Sequence, residues 1–157
     1  MMNKIIKLLF LILVCEGVGF LGTIFTFPSI STWYVTLNKP AFNPPNWIFG
    51  PVWTALYFLM GVALFLVLQK KLKKQRNSLL ILFAVQLFLN FFWSVIFFGF
   101  HLPLAALLEI ALLWISIALL VIDFWKFSKS AAILLIPYLC WVSFAAILNL
   151  FVVLLNP

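Results

Sequence analysis

Long apolar runs broken by short polar or proline-rich stretches dominate the chain, at roughly 5–27, 49–69, 79–99, 103–123 and 131–155. At 1.5 Å of rise per helical residue, each is long enough to cross about 30 Å of hydrocarbon. Stretches such as Leu104–Leu108 and Ile110–Leu113 do not alternate between apolar and polar positions. Membrane barrel strands do alternate, since their side chains face lipid and lumen in turn. The pattern therefore predicts an all-α integral membrane protein, a five-transmembrane-helix bundle in a single domain spanning 1–157.

Within these runs the few polar positions recur at helical spacing. Gln86, Asn90, Ser94 and Phe97 form one stripe with Trp93 beside it, and Tyr138, Trp141, Ala145 and Asn149 form a second. Trp53, Tyr57 and Gly61 share a face, as do Glu16 with Thr23, and Glu109, Ser116 and Asp123 repeat by seven. Residues three or four apart lie on one face of a helix. An unsatisfied polar group in hydrocarbon costs on the order of kilocalories, so these faces should point into the bundle or a cavity. For Gln86 and Asn90, interhelical hydrogen bonding and ligand contact both fit. For Trp53, Trp93 and Trp141, core packing and stacking on a flat aromatic ligand both fit.

Composition agrees with the pattern: 67% of the 157 residues are hydrophobic and 8% charged, and mean hydropathy is +1.26. So few charges could not cover a soluble globule. Ten basic residues against three acidic give a net charge of +7, and their placement matters more than their number. Lys4, Lys7, Lys70, Lys71, Lys73, Lys74, Arg76, Lys126 and Lys129 fall on one side of a five-span chain, and only Lys39 falls opposite. The positive-inside rule then places the N-terminus in the cytoplasm. The basic cluster after the second span suits anionic headgroups of membrane lipid, and without a recognition motif it does not indicate nucleic acid.

The N-terminal basic residues followed by Leu8–Val14 have some signal-sequence character, but apolar residues resume from Val18 to Phe27, so a retained first helix is expected. Cys15 and Cys140, in different spans, make no redox or metal motif and are expected as small membrane-buried side chains. His101 is the lone histidine, expected to be a solvated loop residue, and no metal site is assigned. Glu16 and Glu109 stand inside apolar runs, where hydrogen bonding and ligand or proton handling are both open roles. Asp123 with nearby Lys126 suits a solvated span end. Pro137 is expected to bend or open the start of the last helix, and Pro103 suits a helix beginning.

Between Pro28 and Pro51 the chain reads PSISTWYVTLNKPAFNPPNWIFGP. Pro40, Pro44, Pro45 and Gly50 rule out one continuous helix there. Trp33, Tyr34, Trp47 and Trp53 interleave with this stiff backbone, which fits an interfacial aromatic belt and also a lid folded over a cavity between helix ends. Proline lowers the ordering cost of such a lid.

Three blocks, WYVTLNKPAFNPPNWIFGPVWTALYFLMG at 33–61, QLFLNFFWSVIFFG at 86–99 and IPYLCWVSFAAILN at 136–149, resemble the translocator protein family, the tryptophan-rich sensory or TspO/MBR proteins. The resemblance spans essentially the whole chain. It implies a five-helix bundle, commonly a homodimer, with the long first loop over a pocket, and a bacterial inner-membrane location. It also implies binding of porphyrins, particularly protoporphyrin IX, and of hydrophobic drug-like ligands, with no required cofactor. By resemblance Tyr34, Trp53, Gln86, Asn90, Trp93, Trp141 and Ala145 occupy pocket-associated positions, and Trp33, Pro44, Pro45 and Trp47 shape the cover. Leu150–Pro157 holds neither a basic residue nor a tyrosine, so the cholesterol motif of some relatives is not matched. A tetrapyrrole, with a broad apolar face and anionic edges, suits tryptophan stacking and buried donors. Transport of porphyrin, and light-dependent degradation through Trp53 and Trp141, are the alternatives the resemblance leaves open.

Overall fold

The computed structural model describes residues 3–72 and 75–157. Lys73 and Lys74 of the basic cluster lie outside the described residues. Five α-helices occur among the described residues: α1 (Lys4–Thr32), α2 (Phe49–Leu68), α3 (Gln75–Ser94, prolonged by a wide π turn over Val95–Gly99), α4 (Pro103–Phe127) and α5 (Lys129–Leu155). All five are long and apolar enough to cross a membrane, and no strand occurs among the described residues. The helices close a ring in the order α1, α2, α5, α4, α3 and back to α1.

Local chemistry sets the helix ends. The Asn3 side chain accepts from the Ile5 amide at the start of α1, and Ser128 accepts from the Ala131 amide at the start of α5, each satisfying an amide that has no intrahelical partner. Pro103 opens α4, where its missing N–H costs nothing.

Two proline expectations need correction. The first connection does not begin at Pro28: α1 continues through it to Thr32. A proline near a helix end removes a single ladder bond, and here the Ser31 and Thr32 hydroxyls donate to the Pro28 carbonyl. Gly50 and Pro51 likewise fall in the first turn of α2, so the connection shrinks to residues 33–48, with two 3-10 turns at Tyr34–Thr36 and Asn46–Ile48. Pro137 does not open α5, which runs unbroken across it. The one amide lost faces Ile133, on the exposed side of the helix.

Glycine decides where α1 and α2 touch. A Cβ on Gly61 would stand 2.6 Å from the Ile12 Cα, and one on Gly19 would run into the Tyr57 ring. Small residues let helix backbones approach closely in lipid, where packing and not the hydrophobic effect drives association. The apolar core, with Met60, Ile117, Leu120, Phe124 and Leu135 fully or almost fully buried, fills the half of the bundle remote from the 33–48 connection.

Candidate functional site

At the opposite half, toward the 33–48 connection, the helices enclose a cavity of about 460 Å³, within the roughly 300–1,000 Å³ usual for small-molecule sites. Its walls come from α1, α2, α3 with its π turn, α5 and the connection, while α4 contributes none of the lining residues. On α1 the stripe Glu16, Gly19, Thr23, Thr26 and Ile30 faces it. Asn46 and Trp47 line it from the connection, as does Tyr34.

The deepest lining residue of each of these four helices is polar: Glu16 on α1, Tyr57 on α2, Asn90 on α3 and Trp141 on α5. Behind this floor runs a directional hydrogen-bond chain. The Tyr57 hydroxyl donates to Asn90 Oδ1, Asn90 Nδ2 donates to the Tyr138 hydroxyl at 2.7 Å, and that hydroxyl donates to Gln86 Oε1 at 2.9 Å. The chain joins α2, α3 and α5, and its members are buried. Buried polar groups are rarely left unpaired, yet the Trp141 Nε1, the Gln86 Nε2 and both Glu109 carboxylate oxygens have no partner among the described residues.

Aromatic contacts stiffen the wall. Trp93 stacks on Phe97 with centroids 5.1 Å apart, Trp53 lies 5.7 Å from Tyr57, and Phe49 meets Trp141 edge-on at 6.0 Å. Trp93 Nε1 donates to Asn149 Oδ1 at 3.2 Å, and Asn149 Nδ2 donates to the Pro103 carbonyl at 2.8 Å. One amide side chain thus ties α3, α5 and the start of α4 beside the cavity.

The connection is fastened on both flanks. Asn38 and Asn156 exchange hydrogen bonds, Asn38 N to Asn156 Oδ1 and Asn156 Nδ2 to Asn38 O, both 2.9 Å. Phe42 packs against Phe144 and Phe151 of α5. Tyr34 is buried against Phe97 and Phe98 and donates to Asn43 Oδ1 at 2.8 Å. Burial pushes its phenol above the usual tyrosine range, and the Asn43 bond pulls it partly back. Lys39, alone in charge on this side, turns inward: its Nζ donates to the Tyr34 and Leu37 carbonyls at 2.7 and 2.8 Å and sits 4.8 Å from the Tyr34 ring centre.

Of the seven pocket-associated positions, Tyr34, Trp53, Asn90, Trp93, Trp141 and Ala145 line the cavity. Gln86 does not; it lies one turn beneath Asn90, fully buried behind the floor. Trp47 lines the cavity, whereas Trp33 stacks on His101 at 4.3 Å and meets Phe97 edge-on. His101 is exposed but held: its backbone is left-handed, φ 56°, and its Nε2 lies 3.2 Å from Ser29 Oγ. Cys15 is buried and Cys140 faces outward. Asp123 pairs with Lys126 at 2.6 Å, and Glu109 is buried in α4 away from the cavity lining. The small face of α1, Gly19, Gly22 and Thr26, was not singled out by sequence reasoning, although Gly19 stands three residues from Glu16, Gly22 three from Gly19 and Thr26 four from Gly22, a helical spacing that carries that signal. No group of three or more metal-ligating side chains occurs among the described residues.

Comparison with known proteins gives a consistent pattern. The profile of the TspO/MBR family matches residues 11–155. The chain is similar to the Tryptophan-rich protein TspO of Chlorobaculum tepidum, 51% identical over 99% of this chain and 100% of the relative. It is 44% identical to the protein of the same name from Archaeoglobus fulgidus over 98% and 99% of the two chains. It is also 37% identical to the Translocator protein of Bos taurus, covering 83% of this chain and 79% of that one.

Proposed function

Because the chain belongs to the TspO/MBR family, we propose that it is a membrane receptor or sensor that binds porphyrins, protoporphyrin IX foremost, in the cavity between α1, α2, α3 and α5. The observation that carries this reading is the lining itself: a cavity of about 460 Å³ walled by Trp47, Trp53, Trp93 and Trp141, with the Trp141 indole N–H buried and unpartnered. Ring faces offer stacking area to a flat aromatic ligand, and an unpaired donor gains most from a ligand acceptor. Among the described residues no lysine or arginine lines the cavity, so the propionates of a porphyrin belong at the open mouth, near water and headgroups.

In this reading the 33–48 connection is the lid. Its double asparagine clasp to α5 is exposed, so the Asn38 side of the cover can open locally before the buried Tyr34 anchor gives way. The charge asymmetry supports a cytoplasmic N-terminus, with the lid on the far side of a bacterial inner membrane. A homodimer is part of the same proposal, supported by membership of the family.

The test is a titration of protein in nanodiscs with protoporphyrin IX, in the dark and under illumination, with tryptophan emission and absorption spectra recorded together. Saturable quenching, weakened in Trp53→Phe and Trp141→Phe and in Ala145→Phe, is the expected result. Absence of saturable quenching by folded protein overturns the proposal. A new absorbing product formed only with protein and light would instead make the protein a porphyrin-degrading enzyme, and flux across sealed vesicles would make it a transporter.

A further inference from the structure

The floor of the cavity is chemically lopsided. Tyr57 spends its hydroxyl proton on Asn90, and Asn90 directs an amide proton onward to Tyr138. The chain of donors therefore runs away from the cavity and toward Gln86. Glu16 is the acceptor left over. It lines the cavity half-buried, and the ion pair found among the described residues lies elsewhere, between Asp123 and Lys126. Among the described residues no lysine, arginine or histidine lines the cavity with it.

Position makes this carboxylate available to a ligand. One turn beyond it toward the cavity mouth, a Cβ on Gly19 would run into the Tyr57 ring, so Glu16 lies between two close approaches of α1 and α2, this one and that of Gly61 to Ile12. A side chain larger than hydrogen at position 19 would close this corner. The rings of Trp53, Tyr57 and Trp141 line the same cavity. A carboxylate at membrane depth is costly without a donor or counter-ion, and aromatic faces attract a cation that has left water.

We propose that Glu16 is a specificity-determining residue that selects ligands carrying a protonated amine on an aromatic or apolar body, the ammonium seated at the floor against Glu16 and the body against the aromatic residues that line the cavity. The inference rests on the cavity being a ligand site but not on porphyrin being its ligand. It concerns the floor, whereas the propionate edges of a porphyrin belong at the mouth.

Three probes of one shape separate the charge states: 1-pyrenemethylamine, 1-pyrenemethanol and 1-pyrenecarboxylate, read by energy transfer from tryptophan in nanodiscs of zwitterionic lipid at neutral pH, with empty nanodiscs subtracted. Wild-type protein is expected to bind the amine about tenfold or more tightly than the alcohol, as for a charge-assisted hydrogen bond, and the carboxylate least. Glu16→Gln should abolish the preference for the amine over the alcohol, whereas Glu109→Gln, outside the cavity lining, should leave the preference intact. Equal binding of amine and alcohol by wild type, or a preference that survives Glu16→Gln, overturns the inference. Tighter binding of the alcohol or the carboxylate also overturns it. If Glu16→Gln fails to fold, Glu16→Asp and the wild-type ranking decide the matter. Protoporphyrin IX titrated into the same samples keeps the two readings apart: amine preference without porphyrin quenching sinks the porphyrin proposal alone, and porphyrin quenching without amine preference sinks this one.

Discussion

Replacing Tyr138 by Phe removes one oxygen from the centre of the bundle and little else. That oxygen accepts from Asn90 Nδ2 and donates to Gln86 Oε1, and the residue is fully buried, so no water can take its place. Interhelical hydrogen bonds in membrane proteins are worth about 0.6 kcal/mol on average and up to about 1.7. Two such bonds put the expected loss at about 1–3 kcal/mol. The upper part of that range is favoured because Gln86, whose Nε2 is already unpartnered, would lose its remaining partner, and orphaned polar groups cost about 1–3 kcal/mol. The assay is reversible unfolding in mixed micelles, followed by far-UV circular dichroism and tryptophan emission. Adding Gln86→Leu to Tyr138→Phe should restore part of the loss, since replacing both partners by apolar groups is close to neutral. A Tyr138→Phe variant within about 0.3 kcal/mol of wild type, with no recovery in the double variant, would refute the view that this chain holds α3 to α5.

Other outcomes follow from the same geometry. Gly61→Ala should cost about 1–3 kcal/mol in the same unfolding assay, because its Cβ would overlap the Ile12 backbone and force α1 from α2; Gly17→Ala, with nothing within 4 Å, should be neutral or slightly stabilising. Asn156→Ala should raise the rate of proteolytic cleavage within residues 33–48 by several-fold to about tenfold while leaving helix content unchanged, since it removes both halves of the clasp with Asn38. The phenol of Tyr34 is raised in the folded state, so the folded form holds its proton more tightly than the unfolded one. Its contribution to stability is then complete below about pH 10, the ordinary tyrosine range, and is lost as pH rises above it; protease resistance of the connection should fall in that alkaline window and do so less steeply in Tyr34→Phe.

Much of this was legible in the chain itself. The number, length and approximate limits of the spans follow from hydrophobic runs, because hydrocarbon thickness sets the length of a spanning helix. Three- and four-residue spacing put Asn90, Trp93, Trp141 and Ala145 on inward faces, since helical geometry is local. Depth was not legible. Gln86 and Asn90 share one stripe a single turn apart, yet one is sealed behind the floor and the other lines the cavity. Periodicity gives the direction of a side chain, but where neighbouring helices part depends on contacts between elements distant in sequence, here Gly61 against Ile12 and Gly19 against Tyr57.

The two glutamates show the same division. As letters they are alike, each a carboxylate in an apolar run, and the sequence by itself determined only that both must turn inward or find a proton. The tertiary structure separated them, setting Glu16 in the cavity wall and Glu109 inside α4's packed face. The extent of the connection was likewise decided by the folded chain, where hydroxyls near Pro28 and the first turn of α2 absorb prolines and a glycine that look like breaks. Composition and periodicity are properties of one helix in lipid, whereas a cavity exists only in the gap between four of them.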